Sequence, residues 1–155
     1  MRDDALLAER LNQIWIMLFP EVERKNNIIV RFRGKWRNKF GHIKLLKDKT
    51  TEIAINSHFK NLEIPEYIID LTLAHELVHY MHGFNSPLEK RFRHPHKGNV
   101  VNRELISRGF GQMLRLEKDF VRQKWPEFLS KNHARRKQNI NPMQFLRKLA
   151  LRGFF

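Results

Sequence analysis

Residues 65–82 constrain this chain more than any other segment. Pro65 suits the first position of a helix. The run behind it is apolar on two sides, with Ile69, Leu73, Leu77 and Tyr80 on one face and Leu71, Ala74, Val78 and Met81 on another. A helix apolar on two faces is a buried helix. Its remaining side carries Thr72, His75, Glu76, His79 and His82. Burying such groups without partners costs about 1–3 kcal/mol each, so this stripe is expected to face a cleft or a metal ion. The fold must bury the helix and still open its polar side.

His75 and His79 are four residues apart, which on a helix places them on one face, one turn above each other. Their imidazoles can therefore aim at a single cation. Glu76 adjoins the first of them, where its carboxylate reaches a water on the same ion. His-Glu-x-x-His on a helix is the pattern of zinc-dependent peptide hydrolysis, with two ligands and a general base in five residues. The zinc acidifies the water, and the glutamate takes its proton and later hands it to the leaving amine. One zinc ion is the expected cofactor, and one more protein ligand is required.

With no cysteine in the chain, that ligand is His, Asp or Glu. The longer HExxHxxGxxH pattern is excluded, because positions 82 and 85 hold His82 and Asn85. His96, Glu104 and His94 remain, with His82 a lesser candidate. His96 precedes Lys97-Gly98-Asn99-Val100 and so stands just before a helix start. Glu104 also reads as the i,i+4 partner of Arg108, and His94 as a solvated loop histidine.

The rest of the chain predicts an α+β domain. An amphipathic helix is expected over 3–19, stopped by Pro20, and strands over 28–33, about 40–46 and 51–56. In the last strand Ile53 and Ile55 alternate with Glu52, Ala54 and Asn56. A polar loop should span 84–98, followed by helices at about 99–108 and 112–124, the latter ending before Pro126. Residues 130–139 show no apolar periodicity and read as a basic linker or arm, and Asn141-Pro142 opens a short last helix. The expected division is a protease-like domain over 1–125 and a basic helical extension over 126–155.

The formal net charge is +14 over 155 residues, a field that attracts polyanions, of which nucleic acid is the common intracellular one. Arg31, Arg33, Lys35, Arg37 and Lys39 interleave with Phe32, Trp36 and Phe40, a pattern suited to tracking phosphates and stacking on unpaired bases. Phe32 reads rather as core, and Trp36 equally as core or as a stacking platform. Arg135, Arg136 and Lys137 form a second basic group. No apolar run reaches the roughly 20 residues of a membrane span, and Asp3 and Asp4 stand where a secretion signal would be basic. A monomer in the cytoplasm is expected, nucleoid-associated in a bacterium or nuclear in a eukaryote.

Over about residues 5–110 the chain resembles the SprT-like zinc metalloproteases, the family that includes Spartan. The resemblance runs through Leu11-Asn12-Gln13-Ile14-Trp15, the strand Ile28 to Arg33, the segment Phe40-Gly41-His42-Ile43, the strand Glu52-Ile53-Ala54-Ile55-Asn56 and the helix with Leu73-Ala74-His75-Glu76-Leu77-Val78-His79. It implies a zincin-like fold with a small three-stranded sheet on helices, and DNA-dependent cleavage of proteins bound or crosslinked to DNA. It also implies a third zinc ligand at a histidine opening a following helix, for which His96 with Val100 is the match. Lys97 stands where that family usually has glycine, and a cysteine-based zinc ribbon is absent. The basic segment 122–155 would then replace that ribbon in gripping DNA. By the same resemblance, Glu52 to Asn56 is the strand edge that pairs with substrate backbone.

Two other readings compete. One is a nucleic-acid-binding protein that keeps zinc only as a staple. The other is a metal-dependent hydrolase acting on something other than peptides.

Overall fold

The computed structural model describes residues 1–138, with side chains described as far as residue 135. The short helix expected from Asn141-Pro142 lies outside the described residues. The chain divides into two compact units, Met1–Leu116 and a second that begins at Glu117, whereas the sequence pattern alone suggested a boundary at 125.

The first unit opens with helix α1, Asp4–Leu18. Asp3 caps it, accepting from Leu6 N at 3.0 Å. Leu7, Leu11, Ile14 and Trp15 form its buried stripe, with a spacing that keeps them on one face. Three strands follow: β1 Ile28–Arg33, β2 Gly41–Leu45 and β3 Thr51–Asn56. Their spatial order is β1-β3-β2. β1 runs parallel to β3, with Val30 opposite Ile53. β2 and β3 form an antiparallel hairpin, with Ile43 opposite Ile53. The class is therefore α+β with a small three-stranded sheet, as expected.

The strand order overturns one expectation. Glu52 to Asn56 lie on the central strand, hydrogen-bonded on both sides, and all of β3 is buried. It has no edge to offer a substrate. Its alternation of apolar and polar residues reflects two different buried faces. Glu52 is only 2% exposed because Arg31 and Arg33 of β1 neutralise it, at 3.1 and 2.9 Å. The Asn56 amide donates to the carbonyls of Trp36 and Lys39 at 2.7 and 2.8 Å. The two outer strands differ. β1 meets α1, where Asp4 Oδ1 accepts from Phe32 N at 2.8 Å. β2 borders a cleft.

Helix α2, Glu66–Met81, is buried over twelve of its residues, from Ile68 to Met81. Arg10 ties it to α1 through two hydrogen bonds to Asp70, at 2.6 and 2.7 Å. The loop leading into α2 is held from a distance. The buried Arg2 guanidinium donates to the carbonyls of Phe59, Asn61 and Ile64 at 3.0, 3.0 and 2.8 Å. Gly83, at φ +80°, ends the helical run in the left-handed region. An irregular stretch then carries the chain to helix α3, Val100–Ser107, and Gly109 turns it toward α4, Gly111–Asp119.

In the second unit the helix expected to stop before Pro126 continues. A π-helical turn over Phe120–Lys124 leads straight into helix α5, Trp125–Gln138. The wider π turn directly before Pro126 is where the continuous helix accommodates a residue that has no N–H and whose ring crowds the preceding turn. Residues 130–138, expected as a linker, are helical. Buried Phe120, Trp125 and Phe128 supply the apolar contacts, the last two stacked at 5.6 Å. Among the described residues no helix is long and apolar enough to cross a membrane.

Candidate metal centre

His75 and His79 project from the same side of α2, as their spacing requires, and their Nε2 atoms stand 3.1 Å apart. His96 comes from the irregular stretch before α3 and is exposed. Its ring centroid lies 4.7 Å from that of His79 and 5.6 Å from that of His75. The three histidines offer nitrogen atoms within 4.8 Å of one another, close enough to hold a metal ion.

The donor set fits such an ion. Two imidazoles with nitrogens this close cannot both be charged. Burial, followed by the charge of His96, lowers the pKa of His75 to about 4. Burial, with His75 and His96 adding to it, lowers that of His79 to about 3. Both rings are neutral at pH 7, the form in which an imidazole nitrogen binds a cation. The His79 Nδ1 is buried without a hydrogen-bond partner, so His79 lacks the acceptor that many metal-bound imidazoles find for their other nitrogen.

Glu76 is 4% exposed. It lies against β2 at a point where only glycine fits. A Cβ on Gly41 would stand 2.7 Å from Thr72 Cγ2 and 3.2 Å from Glu76 Oε1. Burial pushes the Glu76 carboxyl up to about 8, with Lys39 pulling against that shift. His75, Glu76, His79 and His96 share a cleft of about 420 Å³ with Lys39, Gly41, His42, Ile43, Phe84, Asn85 and Pro95. One wall is therefore an edge strand and another is the turn after α2.

The other candidates fall elsewhere. Glu104 is engaged with Arg108 at 2.8 Å, and that arginine also binds Glu21 and the Leu18 carbonyl. His94 is exposed and is not one of the three clustered histidines. His82 is buried against Phe92 at 4.7 Å. Tyr80, on the apolar side of α2, donates to Asn26 Oδ1 at 2.8 Å and packs on Trp15.

Of the residues proposed for nucleic acid, Phe32 is core. Arg31 and Arg33 are committed to Glu52, although their outer parts remain exposed. Lys35 and Arg37 are exposed, and Trp36 is half-buried with Lys39 Nζ 4.1 Å from its ring and His42 5.2 Å away. Arg135 is exposed on α5. Arg136 and Lys137 belong to α5, and their side chains lie outside the described residues.

Gly41, His42, Ile43, Phe84, Asn85 and Pro95 also line the cleft, and sequence reasoning did not single them out for it. One signal was available: Asn85 follows the helix stop at Gly83 closely, so a turn there must lie near His79. Compared with family models, with curated proteins and with solved structures, this chain matches none of them.

Proposed function

We propose that this chain is a zinc-dependent peptide hydrolase with a zincin-like core, in which His75, His79 and His96 hold one zinc ion and Glu76 moves the protons. The observation that carries the reading is the convergence of three imidazoles beside a buried glutamate in a cleft walled by an edge strand.

When bound there, a zinc ion would supply Lewis acidity, polarising a carbonyl and acidifying water. Glu76 takes the proton of the attacking water and returns it to the departing amine. Burial raises its proton affinity in the metal-free site, and a zinc ion beside it would favour the carboxylate form that takes the proton. Lys39, lining the same cleft, limits the rise. The edge of β2 takes over the role expected of β3 and holds substrate main chain by strand addition. Main-chain recognition suits a hydrolase whose protein substrates vary in sequence.

The substrate class, proteins bound or crosslinked to DNA, rests on the SprT-like resemblance and on the charge of +14. Lys35, Arg37 and Arg135 are exposed cations that support polyanion contact.

Zinc content, measured alongside cleavage of a basic DNA-bound protein with and without single-stranded DNA, tests the reading. Glu76→Gln is expected to keep its metal and lose about 10²–10⁴-fold in rate. Cleavage by Glu76→Gln at the wild-type rate would sink the mechanism. A zinc-loaded protein that cuts nothing and unfolds on chelation would make the ion a structural staple.

A further inference from the structure

The ladder between β2 and β3 determines which backbone groups of β2 are left over. Asn56 N donates to Phe40 O at one end and Leu46 N to Thr50 O at the other, each at 2.8 Å. Between them His42 faces Ala54 and Lys44 faces Glu52. Bonded and unbonded pairs alternate in an antiparallel ladder. The even-numbered residues therefore direct their amides and carbonyls to β3, and Gly41, Ile43 and Leu45 direct theirs to the outer edge. Gly41 and Ile43 line the cleft. Leu45 is already engaged, because its N–H donates to Asn85 Oδ1 at 3.4 Å.

Asn85 is fixed where it stands. Its φ of +55° lies in the left-handed region, which asparagine tolerates better than most residues. Its carbonyl accepts from Thr51 Oγ1 at 2.9 Å, and Thr51 is the residue of β3 opposite Leu45. On either side of it, Phe84 N donates to His79 O at 2.9 Å and Ser86 Oγ to Tyr80 O at 2.7 Å. The turn is pinned to both the end of α2 and the far end of the sheet. The side-chain amide thus satisfies the donor that an added strand would otherwise use.

We propose that Asn85 is the register stop of a peptide-binding edge. An extended peptide adds to β2 as a fourth strand, pairs with the backbone of Gly41 and Ile43, and is turned away at Leu45. The ligand class is unstructured polypeptide, read through its main chain. Gly41 is the end beside Glu76 and Leu45 is the remote end. In antiparallel addition the remote end receives residues on the N-terminal side of the bond presented to Glu76. With a period of two, pairing to Gly41 and Ile43 orders about three ligand residues. The inference rests on the peptide-hydrolase reading, which it deepens.

The test uses the full chain carrying Glu76→Gln, loaded with zinc. The probes are a nested set of N-acetylated β-casein peptides, each one residue longer at its N-terminus. Affinity and backbone amide exchange at Gly41, Ile43 and Leu45 are measured for each peptide. Affinity is expected to rise with length and then level off, with the Leu45 amide unchanged throughout. Asn85→Gly suits the positive φ and lacks the acceptor. It should add one further step of about 2–10-fold in affinity and bring the Leu45 amide under peptide protection. Asn85→Asp keeps an acceptor and should restore the plateau. Peptide protection of Leu45 with Asn85 intact, the same length dependence in Asn85→Gly, or no response at Gly41 and Ile43 would each overturn the proposal. The protein without Glu76→Gln separates the two ideas. If it cuts no peptide while these amides respond, the hydrolase reading fails and the register stop stands. If it cuts peptide while Asn85→Gly leaves the length dependence unchanged, the hydrolase reading stands and the register stop fails.

Discussion

Gly41 leaves the space that the Glu76 carboxylate fills: a Cβ on the glycine would stand 3.2 Å from Glu76 Oε1 and 2.7 Å from Thr72 Cγ2. The edge strand and the Glu76 carboxylate therefore approach each other through a missing side chain. Gly41→Ala is expected to leave metal content unchanged, because no ligand is touched, while displacing the carboxylate by a few tenths of an ångström or more. Misplacement of a catalytic group on the 1 Å scale costs about 10²-fold, so kcat should fall by about 10–100-fold. Steady-state kinetics beside a metal assay check it, and parallel loss of metal would contradict it.

The same carboxylate makes the stability of the metal-free protein depend on pH. The Glu76 pKa rises from 4.5 to about 8 on burial, so the folded state holds this proton more tightly than the unfolded chain. Its contribution is full below pH 4.5 and is lost as pH rises through about 8. Glu76→Gln should remove that decline, becoming more stable than the parent chain at pH 8–9 when both are metal-free. Urea unfolding after chelation, at several pH values, measures it. His75 and His79, lowered from 6.5 to about 4 and 3, act in the opposite sense and destabilise the fold as pH falls below 6.5 toward those values.

His96 and Glu104 separate cleanly by experiment. His96→Ala removes one of three clustered nitrogens. It should weaken zinc binding by more than the roughly 10–100-fold typical of residues that only hydrogen-bond to a ligand. Glu104→Gln interrupts an ion pair with Arg108 at 2.8 Å and should leave zinc affinity unchanged. Competition with a chromophoric chelator reads both. Equal losses in the two variants would call for a different ligand set.

Arg2 is a distant brace for α2. Its buried guanidinium satisfies three carbonyls of the loop that launches the helix. Arg2→Ala is expected to cost about 2–3 kcal/mol, on the scale of charged hydrogen bonds lost from a buried site. Denaturant unfolding of the metal-loaded protein measures the loss.

DNA affinity should distinguish the cations of the first unit. Lys35 is exposed, so Lys35→Ala is expected to weaken binding and reduce the salt slope by about 1. Arg31→Ala should act mainly on stability, because it removes a partner from the buried Glu52. Filter binding across a salt series, together with thermal melts, separates the two effects. DNA binding insensitive to salt would remove the electrostatic basis for the DNA role.

The amino-acid sequence by itself determined the elements whose signals are local. The periodicity of residues 65–82 required a buried helix, and four-residue spacing alone brought His75 and His79 onto one face. The three strands were legible because β-branched runs and turns announce themselves over a few residues. The path through Pro126 was not, since no local window of sequence tells a proline that ends a helix from one that a π turn accommodates. Tertiary structure alone decided the order β1-β3-β2, which set Glu52 to Asn56 inside the sheet and left the edge to Gly41–Leu45. Alternation in a strand records two faces, and it cannot tell a face covered by Arg31 and Arg33 from one facing water. The choice of His96 among its rivals, and the seating of Asn85 on Leu45, likewise depended on packing between segments far apart in the chain. Such contacts are fixed by the geometry of the whole fold, which no local window of residues contains.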